Sequence, residues 1–113
     1  MVEVFGINDR IQLSYASKVM RKRINNKLMS EGVSMEDPTS TYISPDVKID
    51  KDTVIFPNTT IMGKTTIGHG CEIGPNVIIN NCTIGNNVKV ITSSIENVTI
   101  KDNETVGPFE VRK

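Results

Sequence analysis

Aliphatic side chains return about every six residues along most of this 113-residue chain. They fall at Ile43, Ile49, Ile55, Ile61, Ile67, Ile73 and Ile79, then at Ile84, Val90, Ile95, Ile100 and Val106. Small or branched residues follow four places after the early ones, at Val47, Thr53, Thr59, Thr65, Cys71 and Val77, and Gly, Asn, Asp and Pro cluster between. A helix needs apolar spacings of three and four, and a simple strand needs alternation. A period of six fits neither. It fits a chain that turns a corner after each short strand, so that three sides make one coil of about eighteen residues. The fold expected is a left-handed parallel β-helix of triangular section, mainly β, with about four coils.

Stacking such coils sorts the aliphatic residues into columns. The first face would carry Ile43, Ile61, Ile79 and Ile95; the second Ile49, Ile67, Ile84 and Ile100; the third Ile55, Ile73, Val90 and Val106. Each column is uniformly aliphatic, as an interior formed only between neighbouring coils requires. Three steps (Ile79 to Ile84, Val90 to Ile95, Ile95 to Ile100) are one residue short, which predicts tightened corners.

A different pattern precedes the repeat. From Asp9 to Glu31 no Pro or Gly interrupts the chain, and Leu13, Ala16, Met20, Ile24 and Leu28 or Met29 fall at helical spacing, widened by Ile11, Tyr15 and Val19. Asn8 or Asp9 is a suitable N-cap and Gly32 a suitable C′ residue. Four segments result: 1–8, the remnant of a preceding domain; 9–32, a linker helix; 33–42, a connector with the turn-starting Asp37-Pro38; and 43–113, the β-helix, truncated at its end. The aliphatic position due at 112 holds Arg112, and a last coil ending there needs covering.

Charge and titratable residues offer little chemistry. Thirteen Lys and Arg balance thirteen Asp and Glu, which argues against nucleic acid or an anionic membrane as partner. The helix concentrates Lys18, Arg21, Lys22, Arg23 and Lys27, but no aromatic residues interleave them, and they read as a solvated face. Cys71 and Cys82 have no metal spacing and read as buried, reduced thiols. His69, within Gly68-His69-Gly70, has no Asp, Glu or Cys placed to work with it and reads as an exposed corner residue. No signal peptide or apolar run near eighteen residues is seen, so a cytoplasmic location is expected.

Several stretches resemble one family, the bacterial bifunctional N-acetylglucosamine-1-phosphate uridyltransferase / glucosamine-1-phosphate acetyltransferase. Gly6-Ile7-Asn8-Asp9-Arg10-Ile11-Gln12-Leu13 is similar to the segment that closes its uridyltransferase domain and opens its linker helix. Val19-Met20-Arg21-Lys22-Arg23-Ile24-Asn25 resembles that helix, and Asp37-Pro38 with Thr41-Tyr42-Ile43 the start of its β-helix. Cys71-Glu72-Ile73-Gly74-Pro75-Asn76 and Thr105-Val106-Gly107-Pro108-Phe109 resemble its early coils.

The resemblance implies a transferase that acetylates glucosamine 1-phosphate with acetyl-CoA and couples the product to UTP with Mg²⁺, giving UDP-N-acetylglucosamine for cell-wall peptidoglycan. It implies trimers joined through the β-helices. It also implies that the nucleotidyltransferase domain and the later coils are missing here. One functional residue carries over: Asn8 matches the asparagine that helps hold Mg²⁺ beside an aspartate of the missing domain. No catalytic or cofactor-binding residue carries over. Glu110-Val111-Arg112-Lys113 departs from the family's sugar-phosphate-binding segment, with Arg112 one place early and its following Pro absent. The expectation is a fragment or truncated relative of that enzyme, inactive alone and needing no cofactor by itself. The alternative is a free-standing, non-catalytic, trimerising scaffold.

Overall fold

The computed structural model describes residues 9–113. It opens on helix α1, Asp9–Ser30. Fourteen short strands follow: β1 Ser34–Met35, β2 Thr41–Ile43, β3 Lys48–Ile49, β4 Val54–Ile55, β5 Thr59–Met62, β6 Thr66–Ile67, β7 Glu72–Ile73, β8 Val77–Asn80, β9 Thr83–Ile84, β10 Lys89–Val90, β11 Ser94–Glu96, β12 Thr99–Ile100, β13 Thr105–Val106 and β14 Val111–Arg112. All pairings are parallel, and they form three sheets: β2-β5-β8-β11-β14 on the first face, β3-β6-β9-β12 on the second, and β1-β4-β7-β10-β13 on the third.

The three aliphatic columns stack as the spacing predicts. Ile43 pairs with Ile61, Ile61 with Ile79 and Ile79 with Ile95. Ile49, Ile67, Ile84 and Ile100 stack on the second face, and Ile55, Ile73, Val90 and Val106 on the third. The columns are sealed: Ile55, Ile61, Ile73 and Ile79 are 0% exposed. The short steps leave the register intact.

The interior also holds polar side chains, each tied to a corner. Thr53, Thr59 and Thr65 are fully buried, and their hydroxyls donate to the carbonyls of Gly68, Phe56 and Met62 at 2.8 Å. Thr53 and Thr65 accept in turn from the N–H groups of Cys71 and Cys82 in the next coil. A buried hydroxyl is tolerated on those terms.

The corners explain the Gly and Asn residues. Left-handed backbone recurs in three columns: Asp52, Gly70, Asn87 and Asn103; Gly63, Asn81 and Asn97; Asn58, Asn76, Thr92 and Phe109. Asn and Gly enter that region at least cost. Thr92 (φ 41) and Phe109 (φ 65) do not suit it, and Phe109 is also 84% exposed.

Two features differ from the sequence reading. The solenoid has about five turns rather than four. Its first rung lies inside the expected connector, where β1 stacks Met35 on Ile55. The period hides it because the 3-10 turn Pro38–Ser40 lengthens the step from Met35 to Ile43 to eight residues. At the other end β14 forms, and Arg112 takes the register position above Ile95.

The helix departs further. Only Asn25 and Leu28 on it are buried, whereas Ile11, Leu13 and Tyr15 are each more than two-thirds exposed. Ile11, Tyr15 and Val19 lie on the side of α1 opposite Met20, Ile24 and Leu28, since residues advance about 100° each. They form a second stripe rather than widening the first. The helix closes in a Schellman arrangement: the Val33 N–H donates to Leu28 O (3.1 Å), the Gly32 N–H donates to Met29 O (3.2 Å), and Gly32 has φ 103. Leu28 and Val33 are both buried in the core, completing the motif.

Ile73→Ala, at the centre of the sealed interior, is expected to cost about 2–5 kcal/mol in urea unfolding. Phe109→Asn is expected to raise stability by roughly 0.5–1 kcal/mol, because it relieves a left-handed aromatic residue that buries nothing. A loss of stability in Phe109→Asn would show that the ring has a packing role.

Candidate functional site

Asn8 lies outside the described residues. Among the described residues no group of three or more His, Cys, Asp or Glu side chains could hold a metal ion. His69 sits between β6 and β7 on an exposed corner. Its N–H donates to Asn86 Oδ1 (3.0 Å), and its carbonyl accepts from the Asn87 N–H (2.9 Å). Both bonds are made by backbone atoms, and among the described residues no acid or thiol is bonded to the imidazole. The geometry gives His69 a place in the corner stack and no acid-base partner.

The cysteines are sealed in, as the sequence indicates. Burial pushes the Cys71 thiol above its ordinary value. Its Sγ lies 3.1 Å from the Gly85 carbonyl oxygen, as a weak donor would. A buried thiol with a raised pKa is a poor nucleophile.

The helix meets the solenoid through one polar side chain that the apolar pattern passes over. Asn25 is 1% exposed. Its Nδ2 donates to Pro38 O (3.0 Å) and Thr41 O (3.1 Å), which pins α1 to the start of the first coil. Both acceptors are carbonyls, so the amide orientation is fixed, and Oδ1 is left buried without a partner. Beside it Arg21 stacks over the Tyr42 ring, 4.6 Å from the centroid. Lys18, Arg21 and Lys22 line an open hollow of about 570 Å³ against Pro38 and Thr39. A second, 340 Å³ groove runs between Met20 and Ile24 of the helix and Tyr42, Thr60 and Met62 of the first face.

A cluster of paired charges lies at the last coil. Arg112 donates from Nη1 to Glu104 Oε2 (3.0 Å) and from Nη2 to Glu110 Oε1 (3.1 Å). Glu110 Oε2 also accepts from the Gly107 N–H. The Arg112 hydrogen bond holds the Glu104 carboxyl below its ordinary value; the Gly107 N–H, then Arg112, do so for Glu110. The position due an aliphatic residue is thus filled by a guanidinium neutralised by two carboxylates.

Architecture and sequence together define the class: a hexapeptide-repeat β-helix of the bacterial transferase kind, left-handed and parallel. Residues 46–81 match the bacterial transferase hexapeptide family (six repeats). Within that class the chain is similar to one part of the bifunctional protein GlmU. It is 59% identical to the GlmU of Thermosipho africanus, 53% to that of an Exiguobacterium strain and 51% to that of Caldanaerobacter subterraneus, each over 95% of this chain. It spans only 23–24% of the length of these relatives, about a quarter. A perosamine N-acetyltransferase mutant from Caulobacter crescentus, solved with CoA and GDP-perosamine, aligns over 86% of this chain and 60% of its own, at 13% identity and TM-score 0.43.

The terminal ion cluster sets an acid limit. Glu104 and Glu110 have folded pKa values below the unfolded 4.5, so their stabilisation is complete above that value and is lost as pH falls through the lower folded ones. The melting temperatures of the wild type and Arg112→Met, followed from neutral pH to about pH 3, are expected to converge at the acid end. A constant gap would place the contribution of Arg112 in packing instead.

Proposed function

We propose that this chain is the connecting stem of a GlmU-type bifunctional enzyme. It would carry a uridyltransferase domain on α1 and begin the β-helix of the acetyltransferase. The whole enzyme would acetylate glucosamine 1-phosphate from acetyl-CoA and couple the product to UTP, forming UDP-N-acetylglucosamine in the cytoplasm. The observation that carries this reading is 44–59% identity to GlmU proteins across about 95% of the chain, linker helix and coils alike.

On this reading the described residues would serve as a frame: the imidazole stands at an exposed corner, the thiols are buried, and Glu104 and Glu110 are bound to Arg112. In the whole protein Asn8 would present its amide oxygen to Mg²⁺ beside an aspartate from the preceding domain, a hard donor for a hard cation. Among the described residues no group of three or more His, Cys, Asp or Glu could hold the ion by itself. Three copies would associate through their solenoids. Among the described residues no helix is long and apolar enough to cross a membrane, in keeping with that placement.

An antibody raised against this chain tests the reading in lysate of the source cell. A band about four times the 12.5 kDa mass of this chain is expected, given its share of its relatives' length. The purified chain is expected to transfer no acetyl group to glucosamine 1-phosphate. A native band at 12.5 kDa would replace the enzyme reading with that of a free-standing scaffold.

A further inference from the structure

Three basic residues of α1, Lys18, Arg21 and Lys22, line the 570 Å³ hollow beside the Pro38–Ser40 turn, whereas Arg23 and Lys27 do not. The helix repeat explains the convergence. Lys18, Lys22 and Asn26 form one row at a spacing of four, and Arg21, Asn25 and Met29 form the next row. The second row is fixed in place. Asn25 clamps it to the carbonyls of Pro38 and Thr41, and the Arg21 guanidinium lies over the Tyr42 ring. Among the described residues Arg21 donates no hydrogen bond, and no carboxylate pairs with any of the three cations. The acid at the turn, Asp37, does not line the hollow; its carboxylate accepts from the Thr39 N–H and from the Thr39 and Ser40 hydroxyls. Asn25, in the same wall, keeps Oδ1 buried without a donor. A buried acceptor without a donor needs a reason, and a ligand or ordered water in the adjoining space is one.

We propose that this hollow binds a small phosphate-bearing anion, a diphosphate or a phosphate ester. Arg21 supplies a planar fork of donors that matches two oxygens of one phosphate, and Lys18 and Lys22 supply point charges beside it. Asn26 adds a neutral amide donor. Met29 and Pro38 form an apolar part of the lining, against which the body of an ester can lie. Lys18 and Lys22 repel each other along the helix, and an anion between them turns that repulsion into attraction.

Size and shape favour a compact ligand. The volume falls within the roughly 300–1,000 Å³ of small-molecule sites. The cations converge on one concavity rather than forming a stripe, which suits a single anion better than the repeating phosphates of a nucleic acid. Both walls come from this chain, so the purified chain is a fair sample for the test.

Inorganic pyrophosphate is the probe, titrated into the chain by calorimetry with a chelator present to remove divalent cations. The backbone and side-chain amide resonances are followed in parallel. Saturable binding at one site per chain is expected. The resonances of residues 18–22, Asn25 and Asn26 are expected to move, while those of the last coil, where Arg112 and Lys113 lie, stay in place. Replacing both Lys18→Gln and Lys22→Gln is expected to weaken binding about tenfold or more. Replacing both Arg23→Gln and Lys27→Gln removes the same charge from the same helix outside the hollow, and is expected to leave binding within about threefold. Equal weakening by the two pairs would show a response to overall charge and overturn the site. Failure to saturate up to about 10 mM pyrophosphate would overturn it too, as would shifts centred on the last coil. The wild-type resonances decide the matter even if a variant fails to fold.

Discussion

Everything in this molecule depends on one contact, the stacking of an aliphatic side chain on its counterpart one coil later. The interior is one to two side chains wide, so no coil can bury its apolar residues by itself. Ile61 is sealed only because Ile43 and Ile79 lie on either side of it. The corners serve that contact by bringing the chain round to the same height after each circuit. The Thr53 and Thr65 hydroxyls each hold a corner carbonyl and accept from an N–H of the next coil, so apolar stacking and hydrogen bonding enforce the same register there.

This dependence makes the two ends the informative places. At the start, the helix is held by an amide rather than by a broad apolar stripe: Asn25 bridges the carbonyls of Pro38 and Thr41, and Leu28 and Val33 close the helix onto the first rung. At the last coil, Arg112 occupies an interior column without becoming a buried unpaired charge, because Glu104 and Glu110 reach it from neighbouring turns. Both places use polar groups where the aliphatic repeat is interrupted.

The body of the solenoid was legible in the sequence down to individual pairings, because a strict period leaves one way to stack the columns. What the period could not show lay where it breaks. β1 went unseen because a 3-10 turn lengthens the step from Met35 to Ile43. Asn25 went unseen because polarity argues for exposure, and only the carbonyls it meets reveal why it is buried. The helix looked amphipathic because Ile11 and Tyr15 were counted with Leu13 and Met20, although they face opposite ways. His69 stands at an exposed corner and the two cysteines are buried, as the sequence suggested, whereas Asn8 lies beyond the described residues.

The constant rise of the solenoid has a consequence for how the chain comes to be folded. The stacked aliphatic partners from Ile43 to Val106 are always sixteen to eighteen residues apart. Closing each coil therefore costs the same loop entropy as closing the one before it. Ser44, Lys48, Val54 and Phe56 all donate forward, to carbonyls of the coil that follows, so a finished coil is a template with its donors already aligned. Growth by identical steps on a template needs only a seed, and the seed lies at the amino-terminal end, where the Asn25 clamp sets the first rung. A ribosome delivers that end first. Each later coil can then be laid down as its residues emerge, in the manner of a crystal adding layers, with no need to wait for a distant part of the chain.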